Sequence, residues 1–293
     1  MDYSTHAYNR QSRCYEPIPV VAGRWMRWTY QTPAGRMALH ALIKRKFVSS
    51  VYGRYCRTRR SVRTAQRLID TFSLDMTPFE PFDSYTSFFT RTLAQVDMPS
   101  APVLGAWSEG FCSVWEDLDP ARVVQVKDDV YDLPSLLADA PLAESFRGGT
   151  MLRIRLAPQH YHHFHWFDDG VVRSVRDIPG SYFSVHPLAL RQIARLYCQN
   201  KRRIIVADTA TFGPMVLVEV GATMIGSIHN PFIAGDSFVR GADGGHFAPG
   251  GSMLLGLFQK GRLRMDTDLI EQTSLGFESI VHLGERVGEA THG

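Results

Sequence analysis

Four histidines fall within six residues in the stretch QHYHHFHWFDDG: His160, His162, His163 and His165, with Asp168 and Asp169 just behind them. Imidazole and carboxylate are good zinc or iron ligands, and imidazole is also the commonest general base. In a strand, alternation would send His163 and His165 to one face and His160 and His162 to the other. A metal would then need ligands from far along the chain, and no His or Cys pair at ligand spacing offers them, so no metal is expected. The plain alternative for the stretch is a solvated polar turn.

Three other stretches each hold one candidate. AWSEG (106–110) carries Glu109 in a turn of small residues, and VEVGATMIGSI (218–228) carries Glu219 within an apolar strand, a position that most often faces solvent on the outer side of a sheet. HFAPGGSMLLGLF (246–258) sets Gly250 and Gly251 directly before Ser252. A serine hydroxyl is a weak nucleophile until a neighbouring base takes its proton. Glycines on the carbonyl side allow close approach to the peptide without a Cβ clash. Alone, Gly-Gly-Ser reads as a turn leading into a strand.

The elements that must position these residues are mostly strands. From about residue 100 the pattern is one of short apolar or alternating runs between Gly, Pro and Asp: MLRIRLA (151–157), RIIVAD (203–208), MVLVEVGATMIGSI (215–228) and MLLGLF (253–258). HPLALRQIARLYCQN (186–200) predicts a helix. The fold class expected is α+β, a β-rich main domain of mostly antiparallel sheets over residues 96–293 behind a basic, α-helical N-terminal extension over residues 1–95. No internal repeat and no low-complexity tract interrupts it.

An apolar share of 44% over 293 residues suits a globular protein with a sizeable core. Cys14, Cys56, Cys112 and Cys198 are scattered without a C-x-x-C pair, so neither a zinc knuckle nor a disulfide framework is suggested and a reducing compartment fits. No run approaches the ~18 apolar residues of a membrane span, and the N-terminus has no signal-peptide core. The chain is therefore not expected to span a bilayer, and with the basic segment at residues 24–67 the expectation is peripheral association with the cytoplasmic side of a membrane.

The net charge of +3 conceals an asymmetry, because residues 24–67 hold twelve Lys or Arg and no Asp or Glu. The segment reads as two or three short helices broken at Thr32-Pro33 and Ser49-Ser50, with Trp25, Trp28, Tyr30, Phe47 and Tyr52 among the cations. Such helices suit the interface of an anionic membrane, or form a subdomain whose basic face is simply solvated. No nucleic-acid-binding motif accompanies the charge, and nucleic acid is not an expected partner.

Taken in order, these motifs carry a resemblance over nearly the whole chain. GRWMRWTYQTPAGR, KFVSSVYG, SYTSFFTRTL, YHHFH, FGPMVLVEVGATMIGSI and RGADGGHFAPGGSM resemble, in the same order and at similar spacing, the motifs of the phosphatidylserine decarboxylases. The resemblance implies a self-processing enzyme. Ser252 would attack the Gly251 carbonyl, and elimination and hydrolysis would leave a pyruvoyl group on residue 252, at the head of a 42-residue fragment beside one of 251 residues. This covalent cofactor would decarboxylate phosphatidylserine to phosphatidylethanolamine through a Schiff base. The partners implied are an anionic phosphatidylserine surface and the two fragments as a heterodimer; a homo-oligomer is left open.

Carried over residue by residue, the resemblance makes Glu109, His165 and Ser252 the self-cleavage triad, with His165 as base, and gives His162 to decarboxylation. His163 stands where the family commonly has arginine and receives no role. Glu109 stands where the family has aspartate, Met253 where it has threonine, and Trp166 where a small residue or proline is frequent. These departures keep two other readings in play: a related pyruvoyl enzyme acting on a soluble amino acid, and a lipid-binding relative that does not process itself.

Overall fold

A computed structural model describes residues 6–18, 28–29, 32–38, 46–121, 123–126, 129–181, 183–185, 195–221, 228–250 and 252–291. Its centre is a ten-stranded sheet. In spatial order the strands are β13 (Ser237–Phe238), β9 (Gly170–Ile178), β10 (Arg202–Thr209), β11 (Gly213–Gly221), β15 (Ser252–Phe258), β7 (Thr150–Leu156), β4 (Gly110–Trp115), β17 (Glu278–Val281), β1 (His6–Asn9) and β2 (Cys14–Pro17). All neighbours are antiparallel except β1 and β17. The α+β, β-rich expectation holds; the runs 151–157, 203–208 and 253–258 fall on strands, and of the run 215–228 residues 215–221 and 228 are strand while 222–227 lie outside the described residues.

Two small sheets pack around this one. One joins β12 (Ile228–His229), β14 (Asp243–Phe247) and β8 (His163–His165); the other joins β16 (Leu263–Met265), β18 (Arg286–Ala290) and β3 (Val103–Gly105). A hairpin of β5 (Val123–Val126) and β6 (Asp129–Tyr131) stands apart.

Strand β15 reads as one apolar run because both its faces are covered. Met253, Leu255 and Leu257 pack with Val216, Val218 and Val220 of β11 and with Leu133, Leu136 and Leu137 of helix α5 (Leu133–Leu137). Leu254 and Phe258 turn to the opposite core, among Trp107, Phe164, Phe167 and Phe212. Each such side chain contributes roughly 1.5–3 kcal/mol by burial. Gly256 is fixed by this packing, since a Cβ there would lie 2.4 Å from the Trp107 ring.

The N-terminal region contains helices α1 (Pro33–Ala38), α2 (Lys46–Cys56), α3 (Val62–Phe72) and α4 (Tyr85–Phe89) among the described residues. The break at Thr32-Pro33 is present, because proline opens α1. The expected break at Ser49-Ser50 is not: α2 runs through both serines, whose interior helical cost is only a few tenths of a kcal/mol each. Trp25 and Tyr30 lie outside the described residues. Arg54, Arg57, Arg59, Arg60, Arg63 and Arg67 are all exposed, as are Val51 and Tyr55.

Two strands were not anticipated. HAYN and CYEP, within the stretch expected to be helical, form the β1–β2 hairpin that edges the large sheet. Of the helix expected over 186–200, α7 (Leu196–Gln199) is described, and residues 186–194 lie outside the described residues. Helices α6 (Ala140–Glu144) and α8 (Thr267–Ser274) are the remaining α-helices among the described residues. No helix among the described residues is long and apolar enough to cross a membrane.

Candidate active site

Ser252 is the first residue of β15 and is fully buried. It pairs with Gly221 of β11 on one side and Leu156 of β7 on the other, so its backbone is held in the middle of the sheet. Gly251 lies outside the described residues. The chain leaving β7 at Leu156 turns within six residues into YHHFH and returns the histidines over the end of β15. Two bonds close that turn: the His160 amide donates to the Ala157 carbonyl (2.9 Å), and the Ala157 amide donates to His160 Nδ1 (3.0 Å).

The AWSEG turn grips this segment at alternate residues. The Trp107 carbonyl accepts the His165 amide (2.8 Å), the Ser108 hydroxyl donates to the His163 carbonyl (2.9 Å), and Glu109 Oε1 accepts the Tyr161 amide (2.5 Å). Gly110, at φ 152°, follows immediately, where a Cβ would meet the Arg155 carbonyl at 2.6 Å. Glu109 therefore orders the backbone of the histidine segment. Its hydrogen bond goes to Tyr161 and not to an imidazole.

The Ser252 hydroxyl meets Nδ1 of His162 at 2.8 Å. The other nitrogen of that ring donates to the Ala157 carbonyl at 3.1 Å. A carbonyl can only accept, so it fixes the proton on Nε2 and leaves the Nδ1 lone pair to receive the serine proton. Burial, with His160 and Arg91 nearby, holds the His162 pKa well below its ordinary value. A buried serine on a neutral, oriented imidazole is an arrangement that can carry out acyl transfer.

His165 is placed differently. Its Nδ1 donates to the Gly241 carbonyl (2.9 Å), and its Nε2 accepts from the Tyr161 hydroxyl (3.1 Å). Burial lowers its pKa too. His163 faces Asp243 Oδ2 through Nδ1 (2.9 Å) and stacks between Tyr161 and His246. His160 packs against Phe111, and burial beside Arg155 pushes its pKa to about 3. Alternation is respected in that Tyr161 stacks on both His163 and His165, while His162 points to the serine.

Residues to which the motif reading gave no role also belong here. Phe89, the last residue of α4, stacks on the His162 ring with centroids 3.7 Å apart. Arg91 donates to the Phe88 carbonyl (3.0 Å) and the Gln159 carbonyl (3.3 Å), tying the helical region to the histidine turn. Asn230 donates to Glu219 Oε1 at 3.2 Å, whereas Oε2 of this fully buried acid has no partner among the described residues. Burial raises the Glu219 pKa to about 8, which makes it a neutral acid at pH 7 and not a solvent-facing charge. Glu219 lies opposite Leu254, one step along the sheet from the Gly221–Ser252 pair and on the same face.

The fold and site together define a β-rich protein with a serine–histidine dyad at a Gly-Gly-Ser strand start. The family model described as phosphatidylserine decarboxylase matches residues 85–289, and the chain belongs to that family. It is 39% identical to a phosphatidylserine decarboxylase proenzyme of Ruminiclostridium cellulolyticum, over 96% of each chain. Proenzymes of the same name from Clostridium perfringens and Desulfitobacterium hafniense are 36% and 35% identical over 96% of this chain and 98% and 97% of theirs.

Proposed function

We propose that this chain is a self-processing phosphatidylserine decarboxylase that acts at an anionic membrane surface. The observation that carries this reading is the buried Ser252 hydroxyl on Nδ1 of a neutral His162 directly after two glycines. As Ser252 Oγ bonds to the Gly251 carbonyl carbon, its proton passes to His162 Nδ1. The C–N bond to residue 252 then breaks, the nitrogen takes the proton, and the peptide becomes an ester. Loss of the residue 252 Cα proton expels the Gly251 carboxylate. Hydration and release of ammonia leave a ketone on residue 252.

The site fits a pyruvoyl group so formed, because residue 252 is buried between two strands and faced by one imidazole. Bound there, the group supplies an electron sink for the bond pair that a departing carboxylate leaves behind. His162 is then already in place beside residue 252 to hold a proton. Residues 1–95 act as the membrane-associating part and 96–293 as the decarboxylase domain. The exposed arginines of α2 and α3, with Val51 and Tyr55 among them, support binding to the cytoplasmic face of an anionic bilayer.

The base is the point at which the resemblance and the geometry part. The family pattern gives the proton of Ser252 to His165, whereas the hydrogen bond runs to His162. We assign the base to His162 and leave His165 to fix the Tyr161 side chain.

Carbon dioxide release from phosphatidylserine vesicles and from a panel of free amino acids tests the substrate. Release from vesicles is expected, and release from free amino acids alone would refute the lipid reading. A chain that neither cleaves nor decarboxylates until Glu109→Asp is introduced would be a non-processing lipid-binding relative.

A further inference from the structure

We propose that Glu219 is a further catalytic residue of self-processing, a neutral acid that gives its proton to the side-chain carbon of residue 252 and so turns the cut end into a ketone. This rests on the reading that the chain cleaves itself before residue 252, and it holds whichever histidine takes the serine proton. Side chains two apart on a strand point the same way, and Gly221 pairs with Ser252 as Glu219 pairs with Leu254. Glu219, Gly221, Ser252 and Leu254 therefore share one face of the large sheet. Gly221, directly opposite Ser252, puts no side chain there. The Glu219 carboxyl is then the diagonal neighbour of the Ser252 side chain, a separation that a long side chain bridges. Both residues are fully buried.

The surroundings of Glu219 fix where its proton sits. Arg203 donates to Asn230 Oδ1 (2.6 Å), which turns the Asn230 amide nitrogen toward Glu219 Oε1 (3.2 Å) and the Gly244 carbonyl (2.8 Å). Oε1 is thus the accepting oxygen, and the proton of the neutral acid is on Oε2. Oε2 is buried and has no partner among the described residues, so this donor is unspent. Arg203 lies opposite Glu219 on β10 and gives the rest of its guanidinium to Asp177 of β9, at 2.8 Å from each carboxylate oxygen. Glu219 is left without an ion-pair partner, and with apolar Leu254 on its other side burial outweighs Asn230 and Arg203 and raises its pKa to about 8. His162, which also meets Ser252, presents a lone pair at Nδ1, because its proton is held at Nε2 by the Ala157 carbonyl.

A proton is what the last stage of self-processing needs. Once the Gly251 carboxylate has left, residue 252 carries a Cα–Cβ double bond and a free amino group on Cα. Its Cβ lies on the face that Glu219 shares. The Oε2 proton bonds to Cβ through the electron pair of that double bond, and Cβ becomes a methyl group. The nitrogen lone pair moves into a C=N bond, which leaves a cation on residue 252 beside the Glu219 carboxylate. Water adds to Cα, the nitrogen departs as ammonia, and the surplus proton returns to Glu219. One water is consumed, one ammonia is released and the acid is restored.

The test separates chain cleavage from ketone formation. Full-length wild type, Glu219→Gln and Glu219→Asp are pulse-synthesised in a cell-free extract, quenched with borohydride at intervals and analysed by mass spectrometry. Borohydride turns the ketone of the 42-residue fragment into a 2-hydroxypropionyl end and its nitrogen-bearing precursor into an alanyl end, which differ in mass. Glutamine keeps the size and the Asn230 bond but has no acidic proton to give, so Glu219→Gln should cleave nearly as wild type does. Its alanyl end should then accumulate and convert about tenfold more slowly or worse, with partial recovery in Glu219→Asp. Identical ends in wild type and Glu219→Gln, or cleavage and conversion slowed by the same factor, would overturn the proposal while leaving self-processing intact. A wild-type chain that stays whole would refute the self-processing reading, and the role of Glu219 with it.

Discussion

His162 and His165 stand three residues apart and have different surroundings. One meets Ser252 and a carbonyl, the other a tyrosine hydroxyl and a carbonyl. His162→Gln should slow self-cleavage by about 10²–10⁴-fold, the usual contribution of a general base, and His165→Gln by much less. A time course of cleavage by mass spectrometry separates the two, and the reverse ranking would restore the family assignment. Glu219 gives a second residue-scale outcome. Its folded pKa of about 8 lies above the ordinary 4.5, so the folded state binds this proton more tightly than the unfolded chain. The stability it contributes is complete below the ordinary value and is lost as pH rises through about 8. In the uncleaved Ser252→Ala background, Glu219→Gln should reduce the fall in urea midpoint between about pH 6 and about pH 9, and an equal fall would contradict the neutral acid. The types of all these residues were legible in the sequence. Their pairing was not, because β8 is three residues long and the turn before it, closed by Ala157 and His160, decides which ring reaches the serine.

At the scale of elements, the strands were readable where an apolar run is buried on both faces, as in β7, β11 and β15. The β1–β2 hairpin was not, since HAYN and CYEP alternate weakly; HAYN gains its place from pairing with β17, more than 260 residues away, and CYEP from pairing with HAYN. AWSEG was read as the source of one carboxylate, yet it works as an edge that binds residues 161, 163 and 165 in turn. Each of these contacts ends on a backbone atom of the histidine segment, which leaves no trace in a residue pattern. Gly256 makes the packing testable. Gly256→Ala should destabilise the protein by about 1–3 kcal/mol in urea unfolding, because the added methyl meets the buried Trp107 ring. An unchanged midpoint would mean that the two cores flanking β15 are looser than their geometry.

For the whole molecule, the cut before residue 252 would leave a fragment threaded through the fold. Its β15 lies between β11 and β7, and its β17 lies between β4 and β1. Arg10 at the N-terminal hairpin bonds Asp266 (2.9 Å), Asp268 (2.7 Å) and Glu285 (3.0 Å), all on that fragment. Arg155 and Arg153 grip its Glu278 from β7. Arg10→Ala should therefore let the small fragment dissociate at lower urea in processed protein, read by size-exclusion chromatography, and an unchanged dissociation midpoint would place retention in the sheet alone. The measurement that bears most directly on the central claim is the intact mass of the purified wild-type protein beside Ser252→Ala. Two chains of 251 and 42 residues, the shorter lacking a free amino group, are expected for wild type and one full-length chain for the variant. A single full-length mass for catalytically active wild-type protein would contradict the account.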